Sequence, residues 1–294
     1  MQDFKSLKIG VIGAGSLGGA ISIALDSLGY TFSKIYSRTT QSTNNLSSKL
    51  TGASSANNYQ EVAHNSDVIF ITTPDKNIKE ITDSIDWTNN QIIIHCSGVS
   101  DLDVLSKAKE NGAFVGSMHP LYPFSDMDLG SKNLKNVTFG IDGDLQTKKY
   151  IKKLLSDLQS HPIEINSDFR SLYHLSGVMA GNLLLGLASA ISDIWGEIGL
   201  DRKSGAKSLI PMMINSCENI LKLGIPQSMA GPYVRGDIDT IKMHLKALKD
   251  TNSEILPLYI ELAKVSLKYG DEKVGEKQTQ STEILKILDA YTTE

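Results

Sequence analysis

The stretch IGVIGAGSLGGAIS, residues 9–22, constrains this chain more than any other part of it. An apolar run leads into Gly13, Gly15 and Gly18, spaced G-x-G-x-x-G, and an apolar helical pattern follows over 17–28. Each glycine has its own use. Gly13 permits a tight turn, Gly15 lets backbone approach a pyrophosphate, and Gly18 lets the helix pack close to the strand. The N–H groups that open the helix, in the Ala14, Ser16 and Leu17 stretch, then face an anion. A strand, a glycine turn and a helix in this order belong to a βαβ unit, so an α/β domain is expected here.

The rest of the first half continues that pattern. Strands are expected at 8–12, 31–36, 67–72, 91–96, 113–118 and 137–141, alternating with helical stretches. Uninterrupted apolar runs such as DVIFIT and QIIIHC imply strands covered on both faces, as in a parallel-dominated sheet. The Ser-, Asn- and Thr-rich segment 42–58 is expected to be a helix with polar flanks. Past HPIEI at 161–165 the pattern becomes helical, over 169–198, 202–223, 236–248 and 252–269, with a polar tail after Gly270. The expected division is a nucleotide-binding domain over 1–166 and an all-α substrate and dimerisation domain over 167–294.

Composition excludes several classes. A net charge of −4 gives no electrostatic case for nucleic acid or an anionic membrane. Two cysteines, Cys96 and Cys217, make neither a disulfide framework nor a metal site. The start MQDFKSLKIG has no charged and apolar leader pattern, and no apolar run is expected to approach the ~18 residues of a membrane span. A cytoplasmic protein is expected.

The second strand ends in Ser37-Arg38-Thr39, with no acid to bond a ribose 2′-hydroxyl. The planar fork of Arg38 suits a 2′-phosphate, so NADP(H) is the expected cofactor. Its nicotinamide belongs beyond the carboxyl ends of the strands. Three such ends are polar and sharply turned: Thr72-Thr73-Pro74, His95-Cys96-Ser97-Gly98 and Ser117-Met118-His119-Pro120. Pro120 and Pro123 stiffen the chain around His119. In YHLSGVMAGN, His174 and Asn182 lie eight positions apart, about 80° around an α-helix. In GPYVRGD, Arg235 either pairs with Asp237 or reaches a substrate carboxylate.

With GVIGAGSLG, FITTPD, IIIHCSGVS, GSMHPLYPF, LYHLSGVMAGN and GPYVRGD together, the chain resembles the Rossmann-like oxidoreductases that carry a DUF2520 C-terminal domain. These fall within the 6-phosphogluconate dehydrogenase-like group. The resemblance implies a Rossmann domain followed by a helical domain, and NADPH-dependent reduction of a small 2-oxo acid. A homodimer is expected separately, from the apolar stretch LLLGLASAISDIW at 183–195, which offers surface for self-association or is core. Ketopantoate is the leading substrate, since some members resemble an alternative ketopantoate reductase. Established ketopantoate reductases carry a lysine and two asparagines at four-residue intervals on the corresponding helix. Those positions fall on His174, Val178 and Asn182, of which only the last matches. The expected catalytic group is His174, Asn182 and His119, with Ser97, Gly98 and Arg235 at the substrate. Three alternatives stand beside this reading: a reductase of an imine or a phosphorylated hydroxy acid, a deazaflavin in place of NADP, and a non-catalytic sensor of the NADP pool.

Overall fold

The computed structural model describes residues 4–251, 254–275 and 279–292. It divides into two compact units, residues 1–182 and 183–294. The division falls inside the long helical stretch, beyond the change of pattern at 166.

The first unit holds an eight-stranded sheet. Its strands are β1 (Ile9–Ile12), β2 (Phe32–Tyr36), β3 (Ser54–Ser55), β4 (Val68–Ile71), β5 (Ile92–His95), β6 (Phe114–Pro120), β7 (Thr138–Gly143) and β8 (His161–Glu164). The spatial order is β3-β2-β1-β4-β5-β6-β7-β8. All neighbours run parallel except β6 and β7, which pair antiparallel. The chain steps outward on either side of β1, and the gap between β1 and β4 is the switch point at which open α/β sheets bind ligands. Alternate side chains of one strand enter different cores. Val68 and Phe70 pack on one face and Ile69 and Ile71 on the other, all buried. That two-sided burial is why β4 reads as a continuous apolar run.

The expected strands fall on β1, β2, β4, β5, β6 and β7 within a residue or two. The segment 42–58 differs in detail. Its helix is Thr40–Ser47, and the exposed two-residue strand β3 follows at its end. So short and polar a strand has no hydrophobic alternation to announce it.

The second unit is helical. Its helices Leu184–Glu197, Arg202–Leu223, Ile238–Thr251 and Leu256–Val274 follow the expected order. The polar tail expected after Gly270 is corrected. The chain stays helical to Val274, and a further helix, Thr279–Thr292, buries Ile284 and Leu288 against Ile241, Leu245, Ile260 and Leu267. Its polar residues outnumber its apolar ones, yet the apolar ones lie four apart on one stripe.

A second expectation is also corrected. The contiguous helical segments from Ser167 to Glu197 are long and apolar enough to cross a membrane, with a mean hydropathy of 1.5 over the best 18-residue window, 6% of it buried. Small, weakly polar Ser, Gly and Ala residues break up the apolar run without adding charge, so it does not stand out as a continuous block.

Candidate active site

The nucleotide side of the site is built by three strand ends. After β1, Gly13 takes φ +107° and donates its N–H to the Tyr36 carbonyl at 2.8 Å. A Cβ on Gly13 would sit 2.7 Å from the Thr72 backbone carbon, and one on Gly18 would sit 2.3 Å from Thr72 Oγ1. These two glycines are therefore demanded by the fold. Gly15 differs, because a Cβ there would meet nothing within 4 Å. Its openness is what a docked phosphate needs. The helix Ser16–Ser27 starts at Gly15 with no side-chain cap, leaving its first N–H groups for an anion. The residues present fit a dinucleotide, whose pyrophosphate the stretch from Ala14 to Gly18 would hold.

Thr72 also has a structural part. Its hydroxyl donates to the Gly13 carbonyl at 2.5 Å, so it locks the glycine turn. The neighbouring Thr73 hydroxyl is buried without a hydrogen-bond partner among the described residues, and exposed Pro74 starts the helix Asp75–Asp83. Beyond β2, Ser37 donates its backbone N–H to Thr43 Oγ1, and Thr39 caps the helix Thr40–Ser47 through the Ser42 N–H. Arg38 between them is exposed. It makes no hydrogen bond or ion pair among the described residues, so its guanidinium is free to meet a ribose phosphate.

The expected catalytic residues His119 and His174 meet around Gly98. Strand β5 ends at His95, which pairs with Ser117 of β6, but β6 runs on through Met118, His119 and Pro120 with only β7 beside it. His119 thus projects past the carboxyl edge of β5. The helix Arg170–Val178 brings His174 to the same place, and the two imidazoles lie 5.7 Å apart between centroids. A Cβ on Gly98 would be 2.5 Å from His174 Cδ2 and 2.8 Å from His119 Nε2. The three residues fill one corner.

Ser97 is buried, and its hydroxyl accepts from the Val99 and Ser100 N–H groups and donates to Ser100 Oγ at 3.0 Å. That hydroxyl shapes the loop and has no lone donor left for a substrate. Asn182 is exposed, within a π turn spanning Met179–Leu183. The wider i→i+5 turn takes up an extra residue. It therefore reduces the ~80° offset of an ideal α-helix between His174 and Asn182 and brings them nearer one stripe. Arg235 belongs to the second unit, where it lies 3.8 Å from Asp237. Asp237 in turn caps the helix Ile238–Thr251 through Thr240.

Three residues, Arg170, Asp142 and Tyr173, are given no role by the sequence reading, and His95 is given only its place at a strand end. Arg170 is 4% exposed; its guanidinium donates to Ser117 Oγ at 2.9 Å and pairs with Asp142 at 3.1 Å. Tyr173 donates to the His119 carbonyl at 2.8 Å and accepts the Gly140 N–H at 2.9 Å. His95 is fully buried, and its Nδ1 accepts the Ser97 N–H at 3.2 Å. Nothing local in the sequence marks Arg170 or Asp142, whereas His95 stands at one of the polar strand ends. Tyr173 carries one signal, its place beside His174.

The electrostatics follow from burial. Burial holds His119 down at about 4, helped by His174 and Arg170 and opposed by Asp75. Burial holds His95 at about 3, with the Arg170 charge acting the same way. Both imidazoles are neutral at pH 7. Burial also pushes the Cys96 thiol up to about 12, which removes it as a nucleophile. Among the described residues no group of three or more His, Cys, Asp or Glu side chains is arranged to hold a metal ion.

Comparisons with known proteins agree with this architecture. Residues 2–120 match a Rossmann-like domain, and residues 137–265 match DUF2520, a domain of unknown function. The chain joins a Rossmann-like domain to a DUF2520 domain. No curated protein shows significant sequence similarity to it. Solved structures share the fold of this chain at low identity. A Thermotoga maritima protein is 23% identical with a TM-score of 0.72, over 90% of this chain and 99% of its own. A candidate NADP oxidoreductase from Bacteroides fragilis is 20% identical with a TM-score of 0.71, over 90% and 100%. An imine reductase from a Pseudomonas species is 16% identical with a TM-score of 0.62, over 96% and 99%.

Proposed function

We propose that the chain is an NADP(H)-dependent reductase of a small C=O or C=N substrate. The observation that carries this reading is the His119–His174 pair at Gly98, on the same sheet edge as the open glycine turn. Bound NADPH would supply a hydride to the substrate's carbonyl or imine carbon. The oxygen or nitrogen then needs a proton, and His174 is the group in this corner suited to deliver it. His119 holds the substrate, and Asn182, exposed about two turns further along in the π turn, polarises it.

Ketopantoate remains the first 2-oxo acid to test. A cyclic imine is the second reading, and a specific observation favours it. Arg170, the cation whose charge acts on His119 and His95, is buried and already paired with Asp142, whereas Asp75 favours positive charge at His119. A cationic iminium meets less repulsion there than a carboxylate does. The imine reductase among the structural neighbours points the same way. We further place the protein in the cytoplasm as a homodimer, with the apolar stretch 183–195 serving self-association.

The deciding experiment follows NADPH oxidation against a panel of 2-oxo acids, ketopantoate included, and cyclic imines. Turnover of one class names the substrate. Tight NADPH binding with no turnover of either class overturns the reading in favour of a sensor. His174→Ala is expected to lower kcat by roughly 100- to 10,000-fold with the cognate substrate; unchanged turnover removes His174 from the proton path. Arg38→Ala is expected to weaken NADPH roughly 10- to 100-fold, the scale of lost charged hydrogen bonds, and to leave NADH within about 2-fold. Fluorescence titration of both dinucleotides checks it, and equal weakening of the two would show that Arg38 does not read the 2′-phosphate.

A further inference from the structure

We infer that Tyr173 is a positioning residue that fixes His119 in its Nδ1–H tautomer, leaving Nε2 as a standing hydrogen-bond acceptor at the Gly98 corner. The argument is a count of protons. A tyrosine hydroxyl has one hydrogen to donate and lone pairs to accept with. The Tyr173 hydrogen is committed to the His119 carbonyl at 2.8 Å, and one lone pair takes the Gly140 N–H at 2.9 Å. His119 Nδ1 lies 3.3 Å from the same oxygen. With its hydrogen spent, the oxygen can only accept from that nitrogen, so Nδ1 carries the proton. In a neutral imidazole the other nitrogen then bears a lone pair, and Nε2 is the atom facing Gly98.

The hydroxyl cannot easily turn away. It bridges β6 and β7 at the point where His119 and Gly140 are register partners. A Cβ on Gly140 would sit 2.5 Å from Tyr173 Cζ, so the absence of a side chain there makes room for the ring. The charged and titratable groups acting on His119 are His174, Asp75, Arg170 and the buried His95; burial, His174 and Arg170 hold it neutral at pH 7 against the opposing pull of Asp75.

The consequence concerns substrate class and rests on the reductase reading. A neutral His119 with a bare Nε2 is not the proton donor. It receives a hydrogen bond, so the ligand group docked against it is an O–H or N–H, such as an iminium N–H or a substrate hydroxyl, and not a carboxylate oxygen. His174 is left with the proton transfer.

The tautomer itself is tested without substrate or cofactor, so the result stands whether or not the reductase reading does. The full chain labelled with 15N-histidine is observed by two-bond 1H–15N correlation at pH 7, with His119→Gln to assign the signal. The expected result is a neutral ring with a protonated Nδ1. Tyr173→Phe is expected to lower the ratio of Nδ1–H to Nε2–H forms by roughly fivefold, the equivalent of one neutral hydrogen bond. A wild-type ring protonated on Nε2, or a charged one, overturns the inference. So does a folded Tyr173→Phe protein with an unchanged ratio. If that variant does not fold, the wild-type spectrum alone decides.

Discussion

Gly98→Ala is expected to lower kcat/KM by at least about 100-fold while the protein stays folded. The added methyl would lie 2.5 Å from His174 Cδ2 and 2.8 Å from His119 Nε2, closer than atoms pack, so one ring must yield. His119 has little freedom, because its backbone is in β6 and its Nδ1 and carbonyl both meet the Tyr173 hydroxyl. The displacement therefore falls on His174, whose ring is only half-buried. A shift of about 1 Å in a reacting group is enough for a loss on the order of 100-fold. Stability should change little, since the contacts are with ring edges at a partly open corner and no backbone atom is struck. NADPH affinity should hold within about 3-fold, because the glycine turn after β1 is separate. Steady-state kinetics, a thermal melt and an NADPH titration check the three parts. Wild-type kcat/KM in Gly98→Ala would mean that the histidine corner is not where the chemistry occurs.

The contrast between what the sequence discloses and what it hides follows from how each feature is encoded. Gly13, Gly15 and Gly18 act within six residues, so their spacing and the flanking patterns give away both the turn and its helix. The parallel strands announce themselves because burial on both faces requires unbroken apolar runs. His119 stands out between rigid neighbours, and His174 follows from its helix. The partners that hold them are another matter. Arg170 meets Ser117 and Asp142, and Tyr173 meets Gly140 and His119, across separations of 28 to 54 residues. No periodicity carries such pairings, because β6 and β7 reverse direction relative to each other only in the assembled sheet. Thr72 and Ser97 have a structural part that the sequence does not disclose, for a related reason. A hydroxyl at a strand end looks like a ligand group, and here both close their own loops. The helix Thr279–Thr292 is hidden because its few apolar residues contribute only once they meet the other helices of the second unit.

Arg170→Met is expected to destabilise the first unit by about 2–4 kcal/mol and to take activity with it. A methionine fills much of the same volume, so the change is mainly one of charge and hydrogen bonding. Breaking a buried ion pair by removing one partner costs about 3–5 kcal/mol, because the other charge is left without compensation. Arg170 is nearly inaccessible, but Asp142 has a side-chain exposure of 26% and recovers some hydration, which sets the lower end of the expected range. Ser117 loses its donor too, in a strand where it is fully buried. The arginine also opens the helix that presents Tyr173 and His174, so loosening it should relax both rings and reduce kcat before the unit unfolds. Urea denaturation followed by far-UV circular dichroism measures the first effect. The double variant Arg170→Met/Asp142→Asn separates the charge from the packing. With the stranded carboxylate neutralised, at least half of the lost stability should return, whereas activity should not, since the helix remains unanchored. A single variant that loses less than about 0.5 kcal/mol would show that Asp142 and Ser117 are satisfied by water, and that the helix is held by its apolar contacts alone.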